Sequence, residues 1–110
     1  MEEFLNFLKE KNAALQEQAA ALRAGNRGDE AVFSTVRANV YEICATVCAV
    51  WVKKGEPAAC RKVFGRFQTE WGAALEAARQ RDDAKKICVE EAKLDALEEV
   101  IARFDAAEGA

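Results

Sequence analysis

The amino-acid sequence predicts an all-α protein, a three- or four-helix antiparallel bundle that is completed by dimerisation. The chain has 110 residues, 51% of them hydrophobic, with only six glycines and one proline. Its abundant residue types, such as alanine, glutamate, leucine and lysine, favour helices. No segment alternates apolar and polar residues for long enough to form a strand. Because this length suits one domain, we expect residues 1–110 to form a single helical domain.

Three interruptions divide the chain into four predicted helices. Residues 24–30 and 53–57 contain the glycines and the proline that commonly end and begin helices. The third interruption is placed at Asp82 or Asp83, either of which can cap a helix, because the apolar stripes before and after this point are out of phase. One continuous helix is the alternative there. The predicted helices cover residues from about 2 to 23, 30 to 54, 57 to 80 and 83 to 107.

The second helix carries the widest apolar surface. Its second half presents an apolar arc of roughly 220°, about twice the width found on an ordinary surface helix, so this helix is expected to pack on two sides. The main apolar stripe of the helix consists of Phe33, Val36, Val40, Ile43, Val47 and Val50. With the third helix, it is predicted to supply most of the core through Val40, Ile43, Val47, Phe64, Phe67 and Trp71.

The fourth helix also has two apolar lines, which leads to a prediction about assembly. Two helices with apolar surface on two sides are more than a small bundle can cover, and exposed apolar patches favour association. We therefore predict an obligate homodimer with helix 2 or helix 4 in the interface. The candidate dimer or partner interface consists of Leu5, Leu8, Asn12, Leu15, Tyr41, Cys44, Cys48, Trp51, Val89 and Val100.

Asn12 has a specific place in this interface prediction. It occupies an a position of a heptad pattern whose d positions are leucines. A single asparagine at such a position can set the register of a parallel coiled coil. The alternative is that the first helix is an ordinary amphipathic member of the bundle, with Asn12 at the edge of its apolar face.

The four cysteines are interpreted as small apolar residues. Free cysteine is among the most buried residue types. Cys44 and Cys48 do have a spacing found in structural zinc sites, but Cys60 and Cys88 lie on two other predicted helices. A thiolate metal site and a reactive redox thiol therefore remain minor alternatives, and no cofactor is predicted. In an apolar helix interior the thiol stays protonated and unreactive.

Composition excludes several classes of function. The chain has no histidine and one serine, Ser34, so a Ser-His-Asp triad is impossible and the usual general base is missing. Its net charge of −3 argues against a general attraction for nucleic acid. The one basic segment is a candidate anion patch made of Lys53, Lys54, Arg61, Lys62 and Arg66. The nearby aromatics lie on the predicted buried stripe, so nucleic-acid binding stays an alternative and is not expected.

These observations lead to one expectation about location and function. The chain opens with two glutamates and not with a secretory signal, and its longest apolar-rich run is too short to span a bilayer. We therefore expect a cytoplasmic protein, without a membrane anchor, whose cysteines are thiols. The expected function is a non-catalytic helical interaction or scaffolding module that self-associates or binds a protein partner through its helix faces. No enzyme activity is predicted, and the sequence indicates no particular biological role.

Overall fold

The computed structural model describes the backbone of residues 1–109, and within that range the chain is entirely helical apart from its turns. This confirms the all-α prediction in its four-helix form. Every helix begins and ends within about two residues of the predicted limits, which is the usual uncertainty of helix boundaries. The four helices are α1 (Glu2–Ala24), α2 (Gly28–Lys53), α3 (Ala59–Gln80) and α4 (Ala84–Gly109).

The three turns reverse the chain in the same way, through one residue with a left-handed backbone. These residues are Asn26 (φ 61°), Gly55 (φ 77°) and Asp82 (φ 56°). Asparagine, glycine and aspartate are the residues that tolerate this conformation best. The Asp83 N–H donates a 3.0 Å hydrogen bond to the Ala78 carbonyl, an arrangement that is common at helix ends. The predicted break between the third and fourth helices is therefore confirmed.

The bundle is flattened because α2 packs directly against α4 across the diagonal. α1 lies along α2 and α3 lies along α4, whereas α2 meets α3, and α1 meets α4, over much shorter stretches. The molecule measures 43 × 34 × 21 Å. The shortest dimension corresponds to about two helix layers of ~10 Å each. This arrangement leaves one groove between α2 and α3 and another between α1 and α4.

The face of α2 that enters the core carries mostly small side chains, with Tyr41 as the exception. Its buried residues are Ala31, Ser34, Ala38, Val40, Tyr41, Cys44 and Cys48. Small residues allow the backbones of α1 and α4 to approach this helix closely, which explains why α2 packs directly against α4. Of the predicted main stripe of α2, Val40 is buried, Val47 packs partly buried against the core, and Phe33 and Val36 are half-buried, whereas two members remain outside. These two are Ile43 and Val50, with 42% and 46% of their surface exposed.

An aromatic chain joins three helices in the centre of the core. Phe104 of α4 packs edge-to-face against Phe4 of α1, with ring centroids 5.4 Å apart, and against Phe64 of α3 at 5.7 Å. All three rings are buried. Of the other predicted core residues on α3, Phe67 and Trp71 are only half-buried, as is Val47 on α2. The core therefore lies towards the ends of α1 and α4 that carry the chain termini.

α4 is covered on two sides within one chain. The apolar line that includes Leu97, Ile101 and Phe104 is buried, and so is the line that includes Ala96 and Val100. Most of the two apolar lines predicted for this helix is thus covered by its own neighbours, although Val89 is only half-buried, and α2 is the helix whose large apolar side chains are exposed.

Candidate functional site

An apolar cleft opens between α2 and α3, with α4 as its floor. Its volume is about 310 Å³. The residues around it are Val36, Asn39, Val40 and Ile43 of α2, Trp71 of α3, and Val89 and Lys93 of α4. The cleft exists because α2 approaches α4 and not α3, so the half-buried side chains of α3 face an opening instead of a helix.

Trp71 is held firmly at the edge of this cleft. Its ring stacks on Phe67 with the centroids 5.1 Å apart and the planes nearly parallel, at 2°. The ammonium group of Lys93 lies 4.6 Å from the centre of the indole. A cation over an aromatic face is attracted by about 0.5–1 kcal/mol at an exposed site. Trp71 is therefore a fixed apolar surface that is ready to make contacts.

A charged pair lies beside this tryptophan. Lys93 Nζ is 3.3 Å from Glu90 Oε2, and only 7% of Glu90 is exposed. Within the part of the chain that the structure describes, no donor stands in hydrogen-bonding geometry to that oxygen. A buried carboxylate needs a cation nearby to offset its desolvation. Lys93 thus serves both the tryptophan ring and the carboxylate, and it leaves little free charge in the cleft.

The outer side of α2 continues the cleft as a line of exposed apolar side chains. Val32, Ile43 and Val50 are 41%, 42% and 46% exposed, and they are the large hydrophobic residues of the described chain that water reaches most. Their spacing corresponds to whole helical turns, so they point in one direction together with Val36. We call Val32, Val36, Ile43 and Val50 the outer line of α2. This line borders the cleft, and the exposed side chain of Asn39 lies on the same side of the helix between Val36 and Ile43.

The structure buries half of the residues that the sequence placed in an interface. Leu8, Tyr41, Cys44, Cys48 and Val100 are at most 3% exposed inside a single chain. These side chains belong to the buried core of the chain itself and present almost no surface to a partner. The apolar side of α2 that remains exposed is the other one, which carries Val32, Ile43 and Val50.

The other predicted interface residues keep part of their surface. Leu5, Asn12, Leu15, Trp51 and Val89 are half-buried. Asn12 Nδ2 donates a 2.8 Å hydrogen bond to the backbone carbonyl of Ala38. The asparagine thus joins α1 to α2 of the same chain. This agrees with the alternative in which α1 is an ordinary member of the bundle, and not with a role in setting the register of a coiled coil between two chains. Of these five residues, Val89 is the one that lines the cleft.

Three of the four thiols meet in the core. Cys44, Cys48 and Cys60 are each 0% exposed and belong to one core cluster. Burial raises the pKa of Cys44 from its ordinary value of 9.0 to about 12. Burial also raises the pKa of Cys48 and of Cys60. These thiols are neutral near pH 7, which suits packing, while Cys88 is exposed on α4.

One structural finding bears on the metal-site alternative, and another bears on the expectation of no membrane anchor. Among the side chains described by the structure, no three cysteine or acidic groups are arranged so that they could hold a metal ion. Within residues 1–109, no helix combines the length and the apolar character that crossing a membrane requires.

Some of the cationic side chains in the predicted basic segment already have partners within the chain. Arg61 Nε lies 3.0 Å from Asp105 Oδ1 on α4, so this guanidinium already has a carboxylate partner. The Lys54 ammonium lies 4.9 Å from the centre of the Trp51 ring. Lys53, Lys62 and Arg66 are exposed. The segment therefore offers a few separate cations on two helices, and the Trp51 ring beside them is half-buried and already lies under Lys54.

Comparison of the chain with protein-family models, with curated proteins and with solved structures finds no match. Any function proposed for this chain therefore rests on its own geometry.

Proposed function

We propose that this chain is a non-catalytic helical interaction module that associates with a second copy of itself through the outer line of α2 and the adjoining cleft. The observation that carries the proposal is the position of Val32, Ile43 and Val50. The most exposed large hydrophobic residues of the described chain all lie on one side of one helix, beside a half-buried tryptophan. Isolated exposed apolar residues are common, whereas several of them on one helix face beside an apolar cleft indicate an interaction site.

The size of this surface suggests a weak or transient complex. At 1.5 Å per residue, the line from Val32 to Val50 is about 27 Å long, and a helix with its side chains is ~10 Å wide. Two such faces bury roughly 600 Å² in total, whereas specific stable interfaces bury about 1,200–2,000 Å². The cleft must contribute to the interface if the pair is to be stable. We expect association in the micromolar range or weaker.

The alternative of nucleic-acid binding has less support from the contacts. Arg61 is engaged by Asp105, Lys54 lies over Trp51, and the chain carries a net charge of −3. Binding that depends on phosphate contacts weakens steeply as salt rises. Salt-sensitive binding of the purified chain to DNA or RNA would favour this alternative over the proposal.

Sedimentation velocity under reducing conditions, over a range of concentrations, tests the proposal. The unmodified chain should shift from monomer to dimer as the concentration rises, and Ile43→Glu should remain monomeric because it places a charge in the apolar surface. The matched control is Ala49→Glu, which adds the same charge at an exposed position on another side of α2. A chain that stays monomeric throughout, or equal dimerisation of the two variants, would contradict the proposal.

A further inference from the structure

We infer that the two copies pair through α2 in antiparallel orientation, with Val32 of one copy beside Val50 of the other. This inference rests on the proposed self-association and adds the orientation and register of the pair. It follows from the distribution of apolar and charged groups along the outer side of α2.

Turning α2 end for end exchanges the two end valines of the outer line, whereas its inner residues Val36 and Ile43 exchange with the polar residues Thr46 and Asn39. Val32 and Val50 lie near its two ends, and Asn39 and Ile43 flank its centre on the same side of the helix. If a second α2 is turned end for end, Val32 meets Val50 and Asn39 meets Ile43. A twofold axis through the middle then brings each exposed valine against another valine.

Charge distinguishes the antiparallel orientation from the parallel one. The first turn of α2 carries Asp29, while Lys53 and Lys54 stand at its other end, and all three are exposed. None of them forms an ion pair within the described chain. The antiparallel pair places Asp29 of each copy beside the lysines of the other. A parallel pair would place Asp29 beside Asp29 and lysine beside lysine, which repel each other.

The remaining charge near the middle of α2 does not oppose this pairing directly. Glu42 is exposed but is turned about a quarter of a turn away from the outer line, towards the side of α1. The opposite flank of the line carries Val36 and borders the cleft with Trp71. The second α2 therefore has apolar surface available on its cleft side, which supplies the additional area that the outer line lacks.

Cross-linking with a short bismaleimide tests the register. Cys88→Ser removes the exposed thiol and serves as the background, since the other three thiols are buried. A mixture of the Val32→Cys and Val50→Cys variants should give linked 32–50 peptides in mass spectrometry. Val32→Cys alone should give no dimer, because antiparallel copies place these two positions about 27 Å apart. Glu17→Cys, at an exposed position on α1, measures chance collisions.

Charge exchange provides a second readout that does not depend on cysteine. Asp29→Lys should weaken the dimer about tenfold, since two symmetric attractions become repulsions. Adding Lys53→Glu and Lys54→Glu to that variant should restore the association, because the attractions are then re-formed with opposite signs.

The possible outcomes separate the orientation from the proposed function. If the unmodified chain dimerises but cross-links appear between two copies of position 32, or no 32–50 link forms, the antiparallel register is wrong and the self-association proposal remains. Failure of the charge exchange to restore binding would also overturn the register. If the unmodified chain does not dimerise at all, the proposed function itself fails.

Discussion

Alanine substitutions at two neighbouring positions of α2 should destabilise the protein in the reverse order of side-chain size. Val40 and Ile43 belong to the same apolar stripe in the sequence, but Val40 is 2% exposed and Ile43 is 42% exposed. Replacing each with alanine compares a small buried side chain with a larger exposed one. The structure predicts that the smaller deletion is the more damaging one.

The magnitudes follow from the carbon atoms removed and from their burial. Val40→Ala removes two buried methyl groups at ~0.8 kcal/mol each and leaves a cavity, so it should lower the free energy of unfolding by about 2–3 kcal/mol. Ile43→Ala removes three carbons that remain in contact with water. Alanine also forms helices slightly better than isoleucine, so the loss should be at most about 1 kcal/mol.

Urea denaturation followed by circular dichroism measures this difference. The concentration should be low enough to keep the chain monomeric, as checked by sedimentation, because Ile43 contributes to the proposed dimer. Equal losses at the two positions, or a larger loss for Ile43→Ala, would mean that the face of α2 assigned to the core is incorrect.

Three further predictions concern the core and its polar groups. Phe104→Ala should lower the free energy of unfolding by about 4 kcal/mol, because it leaves a large cavity and removes two edge-to-face contacts; a loss below ~2 kcal/mol in the same urea assay would contradict the aromatic packing. Asn12→Ala should lower the free energy of unfolding by about 1 kcal/mol, because it removes the hydrogen bond to the Ala38 carbonyl of α2. It should leave the dissociation constant of the dimer unchanged, whereas a weakened dimer would place Asn12 in the interface. The free energy of unfolding should fall as pH rises from about 9 towards 12. The reason is that burial raises the pKa of the Cys44 thiol to about 12, so this thiol stays protonated in the folded chain while it ionises in the unfolded chain. Cys44→Ala should reduce the slope of that fall in urea titrations at several pH values, and an unchanged slope would contradict the prediction.

The number and limits of the helices were predictable because local signals determine them. Helix-forming residues dominate the chain, and each turn contains a residue that accepts a left-handed backbone. The change of apolar phase near Asp82 correctly separated α3 from α4. These signals act within a few residues of each other, so they can be recognised without knowledge of the tertiary packing.

The face of α2 that enters the core was not predictable from apolar character alone. The sequence offers a side with Ile43 and Val50 and a side with Ala38, Cys44 and Cys48, and hydrophobicity favours the first. The structure selects the second because small side chains allow two helices to approach at once. The choice depends on the distance between helices, which no single helix specifies. The cleft beside Trp71 was missed for the same reason.

Phe4 shows a similar limit at the chain terminus. The heptad pattern of leucines in α1 drew attention to Leu5 and Leu8, whereas Phe4 joins the central aromatic chain and is 4% exposed. Its contact with Phe104 links the two ends of the sequence, so the pattern of α1 by itself could not show it.

The proposed self-association can be tested most directly by comparing ¹H–¹⁵N spectra of the reduced chain at low and high concentration. If two copies meet on the outer line of α2 and the adjoining cleft, the spectra should show concentration-dependent shifts along residues 32–50. The indole N–H of Trp71 should shift with them, and the exposed side of α1 should change little. Spectra that do not change with concentration, or shifts confined to the groove between α1 and α4, would contradict the proposal.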